Sequence, residues 1–267
     1  MRGASGFAIV GRMSAPVPVS LCVITKDAAA QLEACLASAP FVSECVVVDS
    51  GSADDTVERA RRCGARVIAQ PFLGFGPQKN FAVAQAACDW VLCLDADERV
   101  SPELAAAIVR VLAAEPAFPA YRIARRNRFL GRWLRHGEGY PDWNVRLFDR
   151  RRARWTTDPV HEHVVADGVV GSLAGDLLHE SAESLHTYLA KQNRYTTLQA
   201  EAMHARGERA ETTRIVVAPI VRFLRFFVVR RGFLDGIAGL VHIAIGCFNS
   251  MMKHAKLKQL ENGKGMQ

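Results

Sequence analysis

Apolar positions in the first hundred-odd residues come in short blocks. Val19–Ile24, Glu44–Asp49 and Trp90–Leu94 are mostly apolar runs. Each is closed by a polar group: Thr25-Lys26-Asp27, Ser50-Gly51-Ser52 and Asp95-Ala96-Asp97. Unbroken runs of this length predict strands buried on both faces of a parallel sheet. Arg66–Ala69 predicts a shorter one. Between the runs, Ala28–Ala39, Asp55–Cys63 and Gln78–Ala87 carry helix formers and apolar residues at helical spacing. Ser52 or Asp54 is expected to cap the helix at Asp55, and Gly64 to end it. Ser101-Pro102-Glu103 starts another helix, with a cap and a proline in the first turn. The alternation of β and α predicts an α/β fold, a doubly wound and mostly parallel sheet.

The second half has a different pattern. Ala120–Arg126 alternates and Ser172–Leu178 is apolar, so both predict strands. A long helix is expected from Ser184 to about Gly207. After a polar linker, Ile215–Val229 is apolar with Arg222 and Arg225 inside it, and Arg230-Arg231-Gly232 breaks it. Gly236–Met252 is free of charge but only 17 residues long, and Lys253, Lys256 and Lys258 follow. Neither stretch is a convincing membrane span by length. Amphipathic helices flanked by cations predict an interfacial region on an anionic membrane surface. The alternative is a pair of ordinary helices covering the sheet.

Composition is that of a globular chain: 267 residues, 49% hydrophobic and 23% charged. The net charge of +7 is uneven. Residues 120–155 hold 11 Lys/Arg against 3 Asp/Glu, and residues 214–267 hold 9 against 2, while the rest is acidic. Such blocks suit polyanions such as phosphorylated sugars or anionic lipid. No nucleic-acid motif accompanies the charge, so nucleic acid is not an expected partner. Seven cysteines, odd in number and without a CxxC pair, predict small buried residues of a reducing compartment. Phe7–Val10 is too short for a signal-peptide core. Residues 1–17 are therefore expected to be disordered, with Met13 as the natural start.

The candidate chemistry sits at the strand ends. Alternation along a strand puts Asp95 and Asp97 on one side. Two carboxylates there can hold a divalent cation and, through it, a diphosphate. The first strand leads into Thr25-Lys26-Asp27-Ala28 without GxGxxG, which argues against a dinucleotide site. Asp49 ends the second strand and can hold a ribose or base. Residues 127–154 are dense in Arg and aromatics, which suit phosphate and sugar rings.

Four blocks in order, VSLCVITKDAAAQLEACLAS, VVVDSGSADDT, GFGPQKNFA and WVLCLDADERV, resemble the family-2 glycosyltransferases of the GT-A fold over roughly residues 19–115. The later blocks RFLGRWLRHGEGYPDWNVRLFDR, VHEHV, LLHES and GFLDGIAGL are similar to the lipopolysaccharide inner-core β-glucosyltransferases of Gram-negative bacteria. The resemblance implies a GT-A domain over 18–207, with a nucleotide-sugar half at 18–115 and an acceptor half at 116–207. A C-terminal helical, membrane-associating region at 208–267 follows. It implies Thr25 and Asp49 at the nucleoside, with Asp49 on the uracil. Lys79 is expected near the base or diphosphate, Asp95 at the ribose, and Asp97 on a Mg or Mn ion. Asp27-Ala28 departs from the Asn-Glu of many relatives, which leaves no acidic role for position 28.

The implied reaction is inverting transfer of a hexose, glucose, from a UDP-sugar to an inner-core heptose, on the cytoplasmic face of the inner membrane. Such a transfer needs a carboxylate as general base. Glu162 is the first candidate by position and resemblance, followed by Asp142 and Asp158. Arg128, Arg132, Trp133, Arg135 and Trp143 are the expected acceptor-binding residues. A zinc site of His161, Glu162, His163 and His179 is a weak alternative, because HEH is not HExxH and no cysteine joins it. His179 and Glu180, which close a strand, can also be a core histidine and its carboxylate partner. Two other readings stay open: transfer to a polyprenyl phosphate or another surface glycan, and a non-catalytic membrane-docking protein with a relic site.

Overall fold

The structure is a computed structural model, described over residues 16–158, 162–181 and 184–263. The expectation for residues 1–17 falls mostly on residues 1–15, outside the described ones; Val17 already begins a strand. In chain order the elements are β1 (Val17–Thr25), α1 (Ala29–Ala37), β2 (Val42–Asp49), α2 (Thr56–Arg62), β3 (Arg66–Ala69), α3 (Phe75–Ala84), β4 (Trp90–Asp95), β5 (Glu98–Val100) and α4 (Pro102–Ala113). There follow β6 (Ala120–Phe129), β7 (Arg132–Trp133), β8 (Asp142–Asp149), β9 (Ala153–Trp155), β10 (Val164–Ala166) and β11 (Val170–His179). Three helices complete the order: α5 (Leu185–Ala205), α6 (Thr212–Phe223) and α7 (Gly236–Gly263). The chain divides into two compact units. One comprises Met1–Ile123 and Asn144–Leu177, the other Ala124–Trp143 and Leu178–Gln267.

The first unit is built on a sheet whose strand order is β3-β2-β1-β4-β8-β6-β11-β5. The pairs β2–β3, β1–β2 and β1–β4 are parallel, as the apolar runs predict. Along β1, Val19, Leu21 and Val23 enter one apolar cluster with Leu92, Leu104 and Ile108. Cys22, between them, enters another with Val46, Cys93, Phe148 and Trp155. Both faces are covered, which explains a strand with no polar alternation. Leu92 is fully buried, so its truncation to Ala is worth about 2–5 kcal/mol.

Strand β8 is a departure from the sequence reading. It pairs antiparallel with β4, Val91 opposite Phe148, inside the segment read as dense in Arg and aromatics that suit phosphate and sugar rings. Charge density masked a strand whose Leu147 and Phe148 are both buried. At α2 the N-cap is Asp55, without a side-chain cap bond, and neither Ser52 nor Asp54 holds that position. Asp54 accepts from the Thr56 and Ala29 amides, while Ser52 turns to Asp27 and Asp49. Of the cysteines, Cys22, Cys35 and Cys93 are buried, but Cys63 is exposed.

In the second unit β6 and β7 form a hairpin with Arg128 opposite Trp133. Ser184 caps α5, its hydroxyl accepting from the Thr187 amide as predicted. The boundary expected after residue 207 falls inside this unit, where α5 packs along α7. Helix α6 continues into a π-helical turn, Leu224–Val229, with Phe223 and Phe227 stacked at 4.9 Å. The chain then breaks at Arg231 (φ 54°), within the predicted Arg-Arg-Gly. A 3₁₀ turn, Gly232–Asp235, leads into α7. Buried Asp235 accepts from the Arg135 and His136 amides at 2.9 and 2.8 Å, which fixes that turn.

Helix α7 does not stop at its first lysine. The helical run Gly232–Gly263 has 32 residues and, by length and composition alone, is long and apolar enough to cross a membrane. The charge-free count of 17 fell short because the helix continues through Lys253, Lys256 and Lys258, and Lys256 is held inside the unit. Its ammonium donates to Asn193 O, Asn193 Oδ1, Thr196 Oγ1 and Thr197 Oγ1 at 2.7–2.8 Å.

Candidate active site

The C-terminal ends of β1, β2 and β4 lie in register, Thr25 beside Asp49 and Ile24 beside Asp95. Asp49 is buried, and the turn after it wraps its carboxylate. Asp49 Oδ2 accepts from the Gly51 and Ser52 amides, each at 3.0 Å, and Oδ1 accepts from the Ser52 hydroxyl. Asp27, in the left-handed region (φ 50°), joins this turn to the end of β1. Its amide donates to Ser52 Oγ at 2.9 Å, and its Oδ1 accepts from the Ala53 amide at 2.7 Å. Thr25 Oγ1 is buried there without a hydrogen-bond partner among the described residues. An orphaned polar atom at the end of a strand is a place where a ligand can supply the missing bond.

Around Asp95 five ionisable side chains meet. Lys79 Nζ lies 3.1 Å from Asp95 Oδ1 and 3.2 Å from Glu162 Oε1. Arg146 Nη2 lies 2.7 Å from Asp95 Oδ2 and 2.6 Å from Glu98 Oε1. Glu98 is fully buried and its second oxygen accepts from the Asp95 amide at 3.0 Å. The Trp155 ring underlies both cations, 4.4 Å from Lys79 Nζ and 5.6 Å from the Arg146 guanidinium. Burial alone raises the pKa of the Asp95 carboxyl. Arg146, and then Lys79, outweigh it and hold that carboxyl well below the usual carboxylate range. Arg146 is kept charged by Asp95 and Glu98 against its own burial. Three carboxylates face two cations, so the cluster retains a negative charge, and Asp97 follows two residues on.

The strand ends at Asp95; Ala96 and Asp97 form the turn into β5. Strand alternation therefore does not set the direction of Asp97, and the same-side argument from the sequence is corrected. Asp97 is half-buried in that turn. Lys79, expected near the base or diphosphate, lies between the carboxylates of Asp95 and Glu162.

The block around Lys79 explains itself residue by residue. Gly76 lets α3 approach the strand that leads to Glu162: a Cβ there would stand 1.9 Å from Thr156 O. Gln78, fully buried, donates to Ser50 Oγ and Gln70 O and accepts from the Leu73 amide, pinning the 70–75 loop. Asn80 donates to Trp155 O at 2.9 Å and accepts from the Trp155 amide at 3.0 Å. Glu162 follows Pro159, Val160 and His161, which lie outside the described residues.

The remaining candidates belong to the second unit, except Asp158, which is exposed in the first. Asp142 Oδ2 accepts from Arg125 Nε at 2.9 Å and Nη2 at 2.7 Å. Arg128 pairs with Glu180 and lies 5.9 Å over the Trp133 ring. Arg132 donates to Leu234 O at 3.0 Å, and Trp143 is exposed. His179 Nδ1 is 2.7 Å from Asn127 Oδ1. Among the described residues no three of His, Cys, Asp and Glu are grouped to hold a metal ion; His161, a member of the zinc alternative, lies outside them.

Sequence reading missed Arg146 and Glu98, and took Trp155 only as one of the aromatics that suit a sugar ring. Glu98 stands next to Asp97 and reads as a solvated turn residue. Arg146 was one arginine among many, although Val145 and Leu147 around it follow a strand pattern.

The sequence profile of Glycosyl transferase family 2 matches residues 20–166. The Lipopolysaccharide core biosynthesis glycosyltransferase LpsC of Rhizobium meliloti is 30% identical over 250 residues, covering 91% of this chain and 93% of the relative. An uncharacterised glycosyltransferase of Rickettsia typhi is 31% identical over 254 residues, covering 91% and 87%. A crystal structure of glucosyl-3-phosphoglycerate synthase from Mycobacterium tuberculosis overlaps partially, with 25% identity, a TM-score of 0.36 and coverage of 42% and 44%. With the parallel α/β half and the profile match over the same residues, the chain belongs to glycosyltransferase family 2, and its fold is of the GT-A class.

Proposed function

We propose that the protein is an inverting transferase that moves a hexose, glucose, from a UDP-sugar to a heptose of lipopolysaccharide core. The observation that carries this reading is the negative cluster of Asp95, Glu98 and Glu162 against Lys79 and Arg146, at the strand ends beside the orphaned Thr25 hydroxyl. The similarity to LpsC, whose name places it in core biosynthesis, supports the acceptor class.

The donor set suits a divalent cation. One or two carboxylates, with diphosphate oxygens completing the shell, are the usual protein share for Mg. Asp97 would hold it, with Asp95 at its side, and the residual negative charge of the cluster favours Mg or Mn. When bound, such an ion supplies Lewis-acid stabilisation of the leaving diphosphate. Thr25 and Asp49 take the nucleoside, the buried threonine hydroxyl gaining its missing partner. Lys79 fixes Glu162 by one oxygen and leaves the other to accept the proton of the acceptor hydroxyl. Attack on the opposite face from the leaving group inverts the anomeric centre. In this assignment Asp142 serves Arg125 rather than the acceptor. The arginines at 128, 132 and 135, with Trp133 and the exposed ring of Trp143, form the acceptor-side surface.

The C-terminal helices support peripheral docking on the cytoplasmic face of an anionic membrane. Val217, Ile220, Val221, Leu224 and Val228 are more than half exposed on α6 and its π turn, among Arg222, Arg225, Arg230 and Arg231. That apolar face also favours a second reading, a polyprenyl phosphate acceptor. A panel of nucleotide sugars with Mg or Mn tests the proposal: UDP-glucose binding and transfer to a heptose-terminated core oligosaccharide are expected. Transfer to polyprenyl phosphate instead would establish the second reading. Absence of UDP binding with either metal would leave a relic site.

A further inference from the structure

We infer that the helical second unit carries a separate site for an anionic sugar. A cavity of about 240 Å³ lies there, lined entirely by residues of that unit. It is smaller than the roughly 300–1,000 Å³ that accommodates drug-sized ligands, and has room for one sugar ring. On α5 its wall is Tyr188, Gln192, Tyr195, Thr196 and Gln199. On α7 it is His242, Gly246, Asn249, Ser250 and Lys253. The two sets have the same spacing, steps of 4, 3, 1 and 3 residues, which is one helical face on each helix. Facing helix stripes are normally apolar and packed. Here they are amide, hydroxyl and phenol, with a void between them.

Such an arrangement is costly unless the polar groups find partners. Some do so within the unit: Asn249 donates to Gln192 at 2.8 Å, and Glu138 is forked by Arg222. Gly246 has no side chain because the Glu138 carboxylate lies against it; a Cβ would stand 2.3 Å from Glu138 Oε2. Others do not. His242 presents a buried Nδ1 without a hydrogen-bond partner among the described residues. Burial pushes its pKa below the ordinary value, so the ring is neutral and can donate or accept. The ring is also packed edge-on to Phe129 at 5.2 Å. The helices are locked further along by Lys256 and by the apolar contact of Ala200 with Leu257, so the void is not a loose end.

Planar amides, hydroxyls, a forked ion pair and tyrosine rings are the groups that bind a polyhydroxylated ring. Glu138 and Arg222 neutralise each other, which leaves the half-buried Lys253 as the net charge of the wall. It would meet a phosphate or carboxylate on the sugar. This site goes beyond the transferase reading and does not depend on it.

Binding of glucose 6-phosphate, glucose and inorganic phosphate to the full chain, by calorimetry, tests the inference. Glucose 6-phosphate should bind at least tenfold more tightly than either of the others. Lys253→Met should reduce it about tenfold, towards glucose. Ser250→Leu, which fills the cavity, should abolish sugar binding; Tyr195→Ala on the rim should weaken it. A thermal melt establishes that each variant is folded, and UDP binding should be unchanged in all. Three results would overturn the site: no sugar binding, sugar-phosphate binding that survives in folded Ser250→Leu or Tyr195→Ala, or phosphate binding as well as its sugar ester. Failure of UDP binding with sugar-phosphate binding intact would sink the donor reading and leave this one standing.

Discussion

Lys79 Nζ stands 3.2 Å from Glu162 Oε1, across 83 residues of sequence, and the same nitrogen reaches Asp95 Oδ1 at 3.1 Å. One ammonium therefore ties the proposed base to the end of the central strand. Lys79 is almost fully buried, so neither carboxylate can exchange it for water at little cost.

Glu162→Gln keeps the shape and removes the base. Transfer should fall by roughly two to four orders of magnitude while UDP-sugar affinity stays within about twofold. Full turnover in Glu162→Gln, with loss in Asp142→Asn, would move the role to Asp142.

Arg146→Met leaves Glu98 fully buried without its cation. Breaking such a pair costs about 3–5 kcal/mol, seen as a lower denaturation midpoint. The double variant Arg146→Met with Glu98→Gln should recover a clear part of that loss. An unaltered midpoint in the single variant would contradict the buried ion pair.

Asp97→Asn should abolish metal-dependent UDP binding, with a thermal melt establishing that the variant is folded. Normal metal-dependent binding in the variant would remove Asp97 from the ion's shell.

The depressed pKa of Asp95 makes stability acid-sensitive. The folded value lies below the unfolded one of about 3.9. The stabilisation is therefore fully present above that value and is lost as pH falls towards the folded one. Melting temperature should fall less steeply in Asp95→Asn than in the native protein between about pH 5 and 2. Parallel curves would refute the coupling.

Peripheral docking requires an intact second unit, because α7 packs on α5 and α6. The test is therefore a pair of surface substitutions that leave the unit whole, Ile220→Glu with Leu224→Glu. The native chain should sediment with anionic liposomes and be released by high salt; the double variant should stay in the supernatant. Native protein that ignores the liposomes would overturn the docking surface. Release by detergent alone would establish the Gly232–Gly263 run as a span.

The parallel half was legible because burial on both faces leaves a clear record: Trp90–Leu94 has no polar interruption and Val19–Ile24 has only Ser20. The strand-end residues Thr25, Asp49 and Asp95 were legible for the same reason, since the apolar run stops at them. Arg146 was hidden because its partners come from β4 and β5, about 50 residues earlier, and local charge says nothing of such a pairing. Asp97 was assigned by alternation, which fails one residue past the strand. The polar facing stripes of α5 and α7 escaped notice because periodicity was sought in apolar residues.

Asn80 has a consequence of another kind. Its amide offers Trp155 one acceptor and one donor, the pair that a neighbouring strand would present. Trp155 faces Val164 on its other side, so the short β9–β10 ribbon would otherwise display an open edge. A single side chain thus serves as a counterfeit strand that closes it. Asn80→Ala would leave the amide and carbonyl of buried Trp155 without these partners, at a cost of about 1–3 kcal/mol for each group left unsatisfied.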